Sequence, residues 1–229
     1  RCLAAGEAAV PALLDVARRT ARTQRDTQNR CRAIEVLGAI GSQKAAGPLR
    51  DLLSSSEARV RAAALGALTH LGDAKGAKAA AQLIGDHDAR VRAAAVVCMS
   101  APGKPSSEVE GLVARLLDDT EGRVRLAAVQ ALGRLGALER LGQLARTVDP
   151  DIRTEAFKFL GETGRLAAID PVVTGLTDSN PAVRQAAEAA LRGLGWLPVG
   201  LPSGAVGRGY ARWMTRRDWA PDDDTRDAR

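Results

Sequence analysis

The sequence predicts an all-α fold, a solenoid of six stacked helix pairs, and three observations predict it. A thirteen-residue block recurs at 29–41 (NRCRAIEVLGAIG), 60–72 (VRAAALGALTHLG), 91–103 (VRAAAVVCMSAPG), 124–136 (VRLAAVQALGRLG), 152–164 (IRTEAFKFLGETG) and 183–195 (VRQAAEAALRGLG), always with Arg second, Ala fifth and Gly last. The arginines, Arg30, Arg61, Arg92, Arg125, Arg153 and Arg184, are 31, 31, 33, 28 and 31 residues apart. A fixed period near thirty is the mark of stacked supersecondary units. Hydrophobic residues make up 45% of the 229 but aromatics only 3%, so the core must be built from Ala, Leu and Val, which suits closely packed helices.

The elements follow in order. A first helix is expected in each repeat over 6–17 (GEAAVPALLDVA), 42–53 (SQKAAGPLRDLL), 73–85 (DAKGAKAAAQLIG), 106–118 (SSEVEGLVARLLD), 137–147 (ALERLGQLART) and 165–177 (RLAAIDPVVTGLT), where Ala, Leu and Val recur at helical spacing. Pro11, Pro48 and Pro171 sit early in these segments, to bend the first turn or to begin the helix. The recurring block is the second helix. Set on a wheel at about 100° per residue, its positions 1, 5, 8, 9 and 12 share one sector, with position 6 beside it. Position 9 reads Leu37, Leu68, Met99, Leu132, Leu160, Leu191, an apolar stripe facing neighbouring helices. Ala at position 5 (Ala33, Ala64, Ala95, Ala128, Ala156, Ala187) lets axes approach, and the closing Gly is placed to cap the helix at positive φ. The repeats then span 6–41, 42–72, 73–103, 104–136, 137–164 and 165–195, one solenoid over 1–195 followed by a tail at 196–229.

The pattern V-R-x-x-A-x-x-A-L-G-x-L-G, preceded by a helix ending Leu-Leu-Asp, resembles the HEAT repeat. It is most similar to the bacterial short-repeat subtype named after the phycobilisome lyases. The resemblance covers about 190 of the 229 residues. It implies a right-handed α-α superhelix, with first helices convex and the Val-Arg helices concave. It also implies a protein that presents surfaces to partners.

The arginine ladder admits two readings, a basic track for phosphates or acidic peptides and a framework. Position 2 lies at the edge of the apolar stripe, where a cation needs a partner. Four residues before each arginine stand Asp26, Glu57, Asp88, Glu121, Asp149 and Asn180, and Asp86, Asp119 and Asp178 lie six before. The residues four before are therefore expected both to cap their helices and to partner the arginines, making Arg30, Arg61, Arg92, Arg125, Arg153 and Arg184 structural staples.

Positions 3, 7 and 11 point away from the core and are expected to line the concave face. Glu35, His70, Val97, Leu126, Gln130, Arg134, Lys158 and Glu162 are the candidate partner-binding residues among them. The neighbouring positions are small, and a smooth centre with a polar margin suits a peptide, a helix or a protein edge. Only Arg134 and Lys158 bring positive charge to these positions, fewer than a nucleic-acid track needs. The link 18–28 holds Arg18, Arg19, Arg22 and Arg25, as a helix extension or a basic loop. Two prolines at 101–107 (APGKPSS) interrupt the third repeat.

All three tryptophans and the one tyrosine follow the sixth repeat. Trp196, Tyr210, Arg212, Trp213, Arg216 and Trp219 are read as a cap on the last repeat or as a docking segment, and 221–229 (PDDDTRDAR) as disordered.

No chemistry is legible. His70 and His87 are isolated. The di-iron hydroxylases built on HEAT-type repeats need recurring His-Glu pairs, but here Leu71 and Asp88 follow the histidines. Cys2, Cys31 and Cys98 form no C-x-x-C pair, so they read as reduced thiols in a cytoplasmic protein rather than as zinc ligands. No cofactor is expected and no run is long enough to span a membrane. The net charge of +6 comes almost wholly from arginine, a bias that a GC-rich genome also produces. Residues 1–10 carry neither an initiating Met nor a signal-peptide pattern, so a fragment or a chain with its beginning removed is expected. The function read from the sequence is a non-catalytic protein-interaction scaffold or adaptor. The alternatives are an accessory or lyase-like component of bilin attachment, and a nucleic-acid binder using 18–28 and the tail.

Overall fold

The computed structural model describes residues 2–100 and 107–195. The chain has twelve α-helices among these: α1 Cys2–Arg18, α2 Gln24–Ile40, α3 Ala46–Asp51, α4 Ala58–Leu71, α5 Ala74–Ala80, α6 Ala89–Met99, α7 Ser107–Ala114, α8 Gly122–Leu135, α9 Leu138–Leu144, α10 Pro150–Glu162, α11 Ile169–Thr174 and α12 Pro181–Gly193. No strand occurs among the described residues. The fold is the all-α solenoid of helix pairs, a first helix with odd number and a second helix with even number in each repeat.

First helices are shorter than the periodicity predicts. The segments at 42–54, 73–83, 107–118 and 166–177 hold six to eight α-helical residues and then tighten into a 3-10 turn, as at Leu52–Ser54, Ala81–Leu83, Arg115–Asp118 and Gly175–Thr177. Such tightening satisfies terminal carbonyls that have lost their i+4 donors. Pro48 and Pro171 are each third in their helices. Pro11 differs from expectation: it lies inside α1, which begins at Cys2 instead of Gly6.

The second helices are longer and better capped. Gly41, Gly72 and Gly136 end α2, α4 and α8 at φ 74, 62 and 68, a region side chains rarely enter. The helix α6 stops at Met99, three residues before Pro102, which cannot continue it. Residues 101–106, with Gly103, lie outside the described residues.

The described residues form two compact units, up to Leu141 and from Gly142 onward, the boundary falling within α9. In the first, α2, α4, α6 and α8 pack in sequence, and each is backed by its own first helix. Ile34, Leu37, Leu49, Val60, Leu65, Leu68 and Val91 are fully buried there, each contributing roughly 1.5–3 kcal/mol of apolar burial. In the second, α10 packs along α12, and α11 with its 3-10 turn packs on α12. Phe157, Leu160, Val172, Val183 and Leu191 are buried. All six position-5 alanines are buried.

Position 8 of the block reads differently from the wheel in one repeat. Ala67 and Ala190 are buried against position 10 of the preceding second helix, Gly38 and Gly161. In α2, which has no preceding second helix among the described residues, the same position is Val36 and is 45% exposed.

Candidate functional site

The arginines stand in the first turns of the second helices, except Arg30 in the middle of α2, and bond chiefly to the loops between helices. Arg61 donates from Nε to Asp86 Oδ2 and from Nη2 to Oδ1, both at 2.8 Å. Its Nη1 donates to the carbonyls of Ser55 (2.7 Å) and Ser56 (3.1 Å). Arg92 repeats this with Asp119 at 2.7 and 2.8 Å and with the carbonyls of Asp86 (2.8 Å) and His87 (3.3 Å). In the second unit Arg153 binds Asp178 at 2.7 and 2.9 Å and the carbonyls of Thr147 and Val148, both at 2.8 Å. Arg125 and Arg184 hold their own loops through the carbonyls of Asp119 (2.9 Å) and Asp178 (2.7 Å). Arg30 donates to the Ala17 carbonyl at 3.0 Å and pairs with Glu57.

This corrects the sequence pairing. The carboxylates that bind Arg61, Arg92 and Arg153 stand one repeat further on, at Asp86, Asp119 and Asp178, six residues before the next arginine; Glu57, which pairs with Arg30, stands four before Arg61. In three repeats the residue four before caps its own helix, Asp88, Asp149 and Asn180 accepting from the amides of Arg90 (2.9 Å), Asp151 (3.0 Å) and Ala182 (2.8 Å), whereas Glu57 and Glu121, contrary to expectation, make no side-chain cap bond. Asp88, besides capping its helix, takes the guanidinium of Arg90 at 3.0 and 2.6 Å, while Arg92 turns to Asp119. At α2 the cap is Thr23, in a reciprocal box with Asp26. The Arg92 bonds hold the Asp119 carboxyl below its usual range, and those of Arg153 do the same for Asp178. Burial pushes Asp86 upward, but the Arg61 bonds and the Asp88 amide outweigh it and leave the group low.

The second helices also build two open troughs. One, of about 450 Å³, is lined by Cys31 and Glu35 of α2, by Arg59, Ala62, Ala63, Gly66, Ala67 and His70 of α4, and by Arg90 of α6. The other, of about 550 Å³, is lined by Thr154, Lys158, Gly161 and Glu162 of α10, by Gly164, and by Ala186, Ala189, Ala190 and Gly193 of α12. The α4 residues step by i, i+3, i+7 and i+11, one face of a helix. Their floor is shallow because the helices nearly touch. A Cβ on Gly38 would stand 2.8 Å from the Ala67 Cα, and one on Gly161 2.5 Å from the Ala190 Cα.

Of the sequence candidates, Glu35 and His70 lie in the first trough and Lys158 and Glu162 in the second. Val97, Leu126, Gln130 and Arg134 stand on α6 and α8, outside both. Leu126 is 36% exposed. Arg134 reaches Ser100 Oγ at 3.1 Å, and burial lowers its pKa. Lys158 faces Glu155 at 3.7 Å. Arg18, Arg19, Arg22 and Arg25 are exposed around the short link between α1 and α2. Burial raises the half-buried Cys31 thiol, reinforced by Glu35 and Glu57. Trp196, Tyr210, Arg212, Trp213, Arg216 and Trp219 lie outside the described residues.

Sequence reasoning missed Arg59 and Arg90, since both precede the thirteen-residue block by one position. The signal was present as A-R-V-R at 58–61 and 89–92 and G-R-V-R at 122–125. Among the described residues no group of His, Cys, Asp or Glu is placed to hold a metal ion, and no helix is long and apolar enough to cross a membrane.

The family profile described as HEAT repeats matches residues 10–100, 48–133 and 109–192. No curated protein matches in sequence. Among solved structures, the chain is similar to a designed armadillo repeat protein in complex with the peptide (KR)4, with 18% identity, TM-score 0.59, and coverage of 81% of this chain and 99% of that one. It is similar to an engineered protein at 19% identity, TM-score 0.56, covering 81% and 96%. The complex of CpcE and CpcF of phycocyanin lyase from Nostoc sp. PCC7120 gives 22% identity, TM-score 0.52, and coverage of 91% and 83%. At these identities the likeness is one of fold.

Proposed function

The chain belongs to the HEAT-repeat family, and from that premise we propose that it is a non-catalytic protein-interaction scaffold whose second-helix face receives a polypeptide partner. The observation that carries this reading is the pair of troughs. Each has a floor of Ala and Gly residues and a polar rim, Glu35, Arg59 and His70 in one and Thr154, Lys158 and Glu162 in the other. Small residues leave the helix surface open to close approach by another backbone, and the rim supplies hydrogen-bonding orientation. The arginine staples serve the framework on this reading: they fix the loop geometry that spaces the second helices. That a designed armadillo repeat protein is complexed with a peptide, and CpcE with CpcF, supports the same class of partner.

The test is to fill the troughs without touching the core. A Cβ at Gly66 meets no atom within 4 Å, and Ala189 is exposed, so Gly66→Trp and Ala189→Trp project into the open space. Affinity capture from the source cell with the parent chain, followed by crosslink mapping, identifies the partner and its footprint. The double variant is expected to lose that partner while keeping its melting temperature within a few degrees. Undiminished capture by a folded double variant rejects the second-helix face.

A further inference from the structure

Arg59, Arg90 and Arg123 occupy one register, the second position of α4, α6 and α8, and all three are exposed. Arg59 and Arg90 line the first trough, and Arg123 continues the row on the next second helix of the same unit. Packing does not require them. They sit in the first turn of their helices, where the macrodipole disfavours a cation by about 0.3–1 kcal/mol. Arg90 is bound to Asp88 at 3.0 and 2.6 Å, but Arg59 and Arg123 make no ion pair among the described residues. The row is distinct from the partly buried staples two residues later, whose guanidinium groups are bonded to loops.

From this placement we propose that the first unit's second-helix face binds an extended acidic peptide, with carboxylates on the Arg59–Arg90–Arg123 row and small side chains over the alanine floor. The inference rests on the scaffold reading and names the partner's chemistry. Neighbouring packed helices lie about 8–10 Å apart, and a chain in the extended polyproline II conformation has three residues per turn and advances about 3.1 Å per residue, so every third side chain shares one face about 9 Å from the last. Acidic residues at every third position therefore meet successive arginines. A phosphate backbone fits less well, because Glu35 stands in the same trough and would repel a continuous polyanion. A peptide can present a neutral or donor group there.

The probe is a fluorescein-labelled peptide with aspartates at every third position separated by alanines, read by anisotropy against the full chain. Controls are the same peptide with lysine for aspartate and a single-stranded oligothymidine. The acidic peptide is expected to bind with an affinity that falls as salt is raised, and the lysine peptide not to bind. Arg59→Gln with Arg123→Gln is expected to weaken binding about tenfold, as loss of two exposed charge pairs implies. Three outcomes overturn the proposal: no binding of the acidic peptide at millimolar concentration, equal binding by the double variant, or tighter binding of oligothymidine than of peptide. Failure here is separable from failure of the scaffold reading. A natural partner lost by Gly66→Trp but retained by the arginine double variant leaves the scaffold standing and removes the acidic-peptide assignment.

Discussion

Asp86 is held by two arginines from two repeats: its carboxylate accepts both Nε and Nη2 of Arg61 at 2.8 Å, while its carbonyl accepts Nη1 of Arg92 at 2.8 Å. Asp119 stands in the same relation to Arg92 and Arg125, and Asp178 to Arg153 and Arg184. Each loop is thus tied by its acid to the repeat before and by its carbonyls to its own helix.

The first prediction follows from that geometry. Asp86→Ala leaves a mostly buried guanidinium without its carboxylate, and about 2–4 kcal/mol should be lost. Asp88→Ala removes a helix cap and an exposed pair with Arg90, and should cost about 1 kcal/mol. Urea unfolding at unchanged m-value measures both. A larger loss for Asp88→Ala than for Asp86→Ala would show that the bond across repeats contributes little.

The legibility of the chain divides along the same lines. Helix number and order were readable because Arg, Ala and Gly recur at fixed places and because the apolar stripe has a helical period. The arginine partner was not, because Asp86 and Asp88 are both acidic and both near. Sequence spacing cannot say that the nearer one is consumed by capping. Glu35, His70, Lys158 and Glu162 were placed by the wheel, and the troughs contain them. Arg59 and Arg90 lie one residue ahead of the recurring block, so a wheel of that block does not display them. The Gly38–Ala67 and Gly161–Ala190 approaches depend on how two helices cross, which a one-helix wheel does not contain.

Those crossings supply the second prediction. Gly161→Ala puts a methyl 2.5 Å from the Ala190 Cα, against backbone that cannot turn aside, and should destabilise by about 1–3 kcal/mol. Gly111→Ala in α7 meets nothing within 4 Å and should stabilise by about 0.5–1 kcal/mol, since alanine has the better helix propensity. Opposite shifts in melting temperature are the expected result. Equal shifts would mean that the helices separate to admit the methyl.

The third prediction concerns pH. The carboxyls of Asp86, Asp119 and Asp178 lie below the ordinary 3.8 in the folded chain. The unfolded chain therefore binds more protons as pH falls through this range, so stability rises with pH there. The contribution is fully present above about pH 5, is lost on acidification below about pH 4, and is flat between about pH 5 and 8. Urea midpoints across this range should show the slope, and Asp119→Asn should shallow it. An acid limb unchanged in that variant would assign the slope to other carboxyls.

The fourth prediction uses the thiols as reporters. Burial raises both Cys31 and Cys98, and Cys98 is only 1% exposed. Thiolate is the reactive form, so in a Cys2→Ser background a maleimide should modify Cys31 slowly, faster as pH rises, and Cys98 only on unfolding. Cys31 lines the first trough, so a polypeptide seated there must shield it. Modification of Cys31 should therefore slow in proportion to partner occupancy, while global stability measured in parallel accounts for any slowing due to tighter folding. If a saturating partner leaves the Cys31 rate unchanged, the partner sits elsewhere on the chain, because no occupant of a trough walled by Cys31 and Glu35 could leave that sulfur equally open.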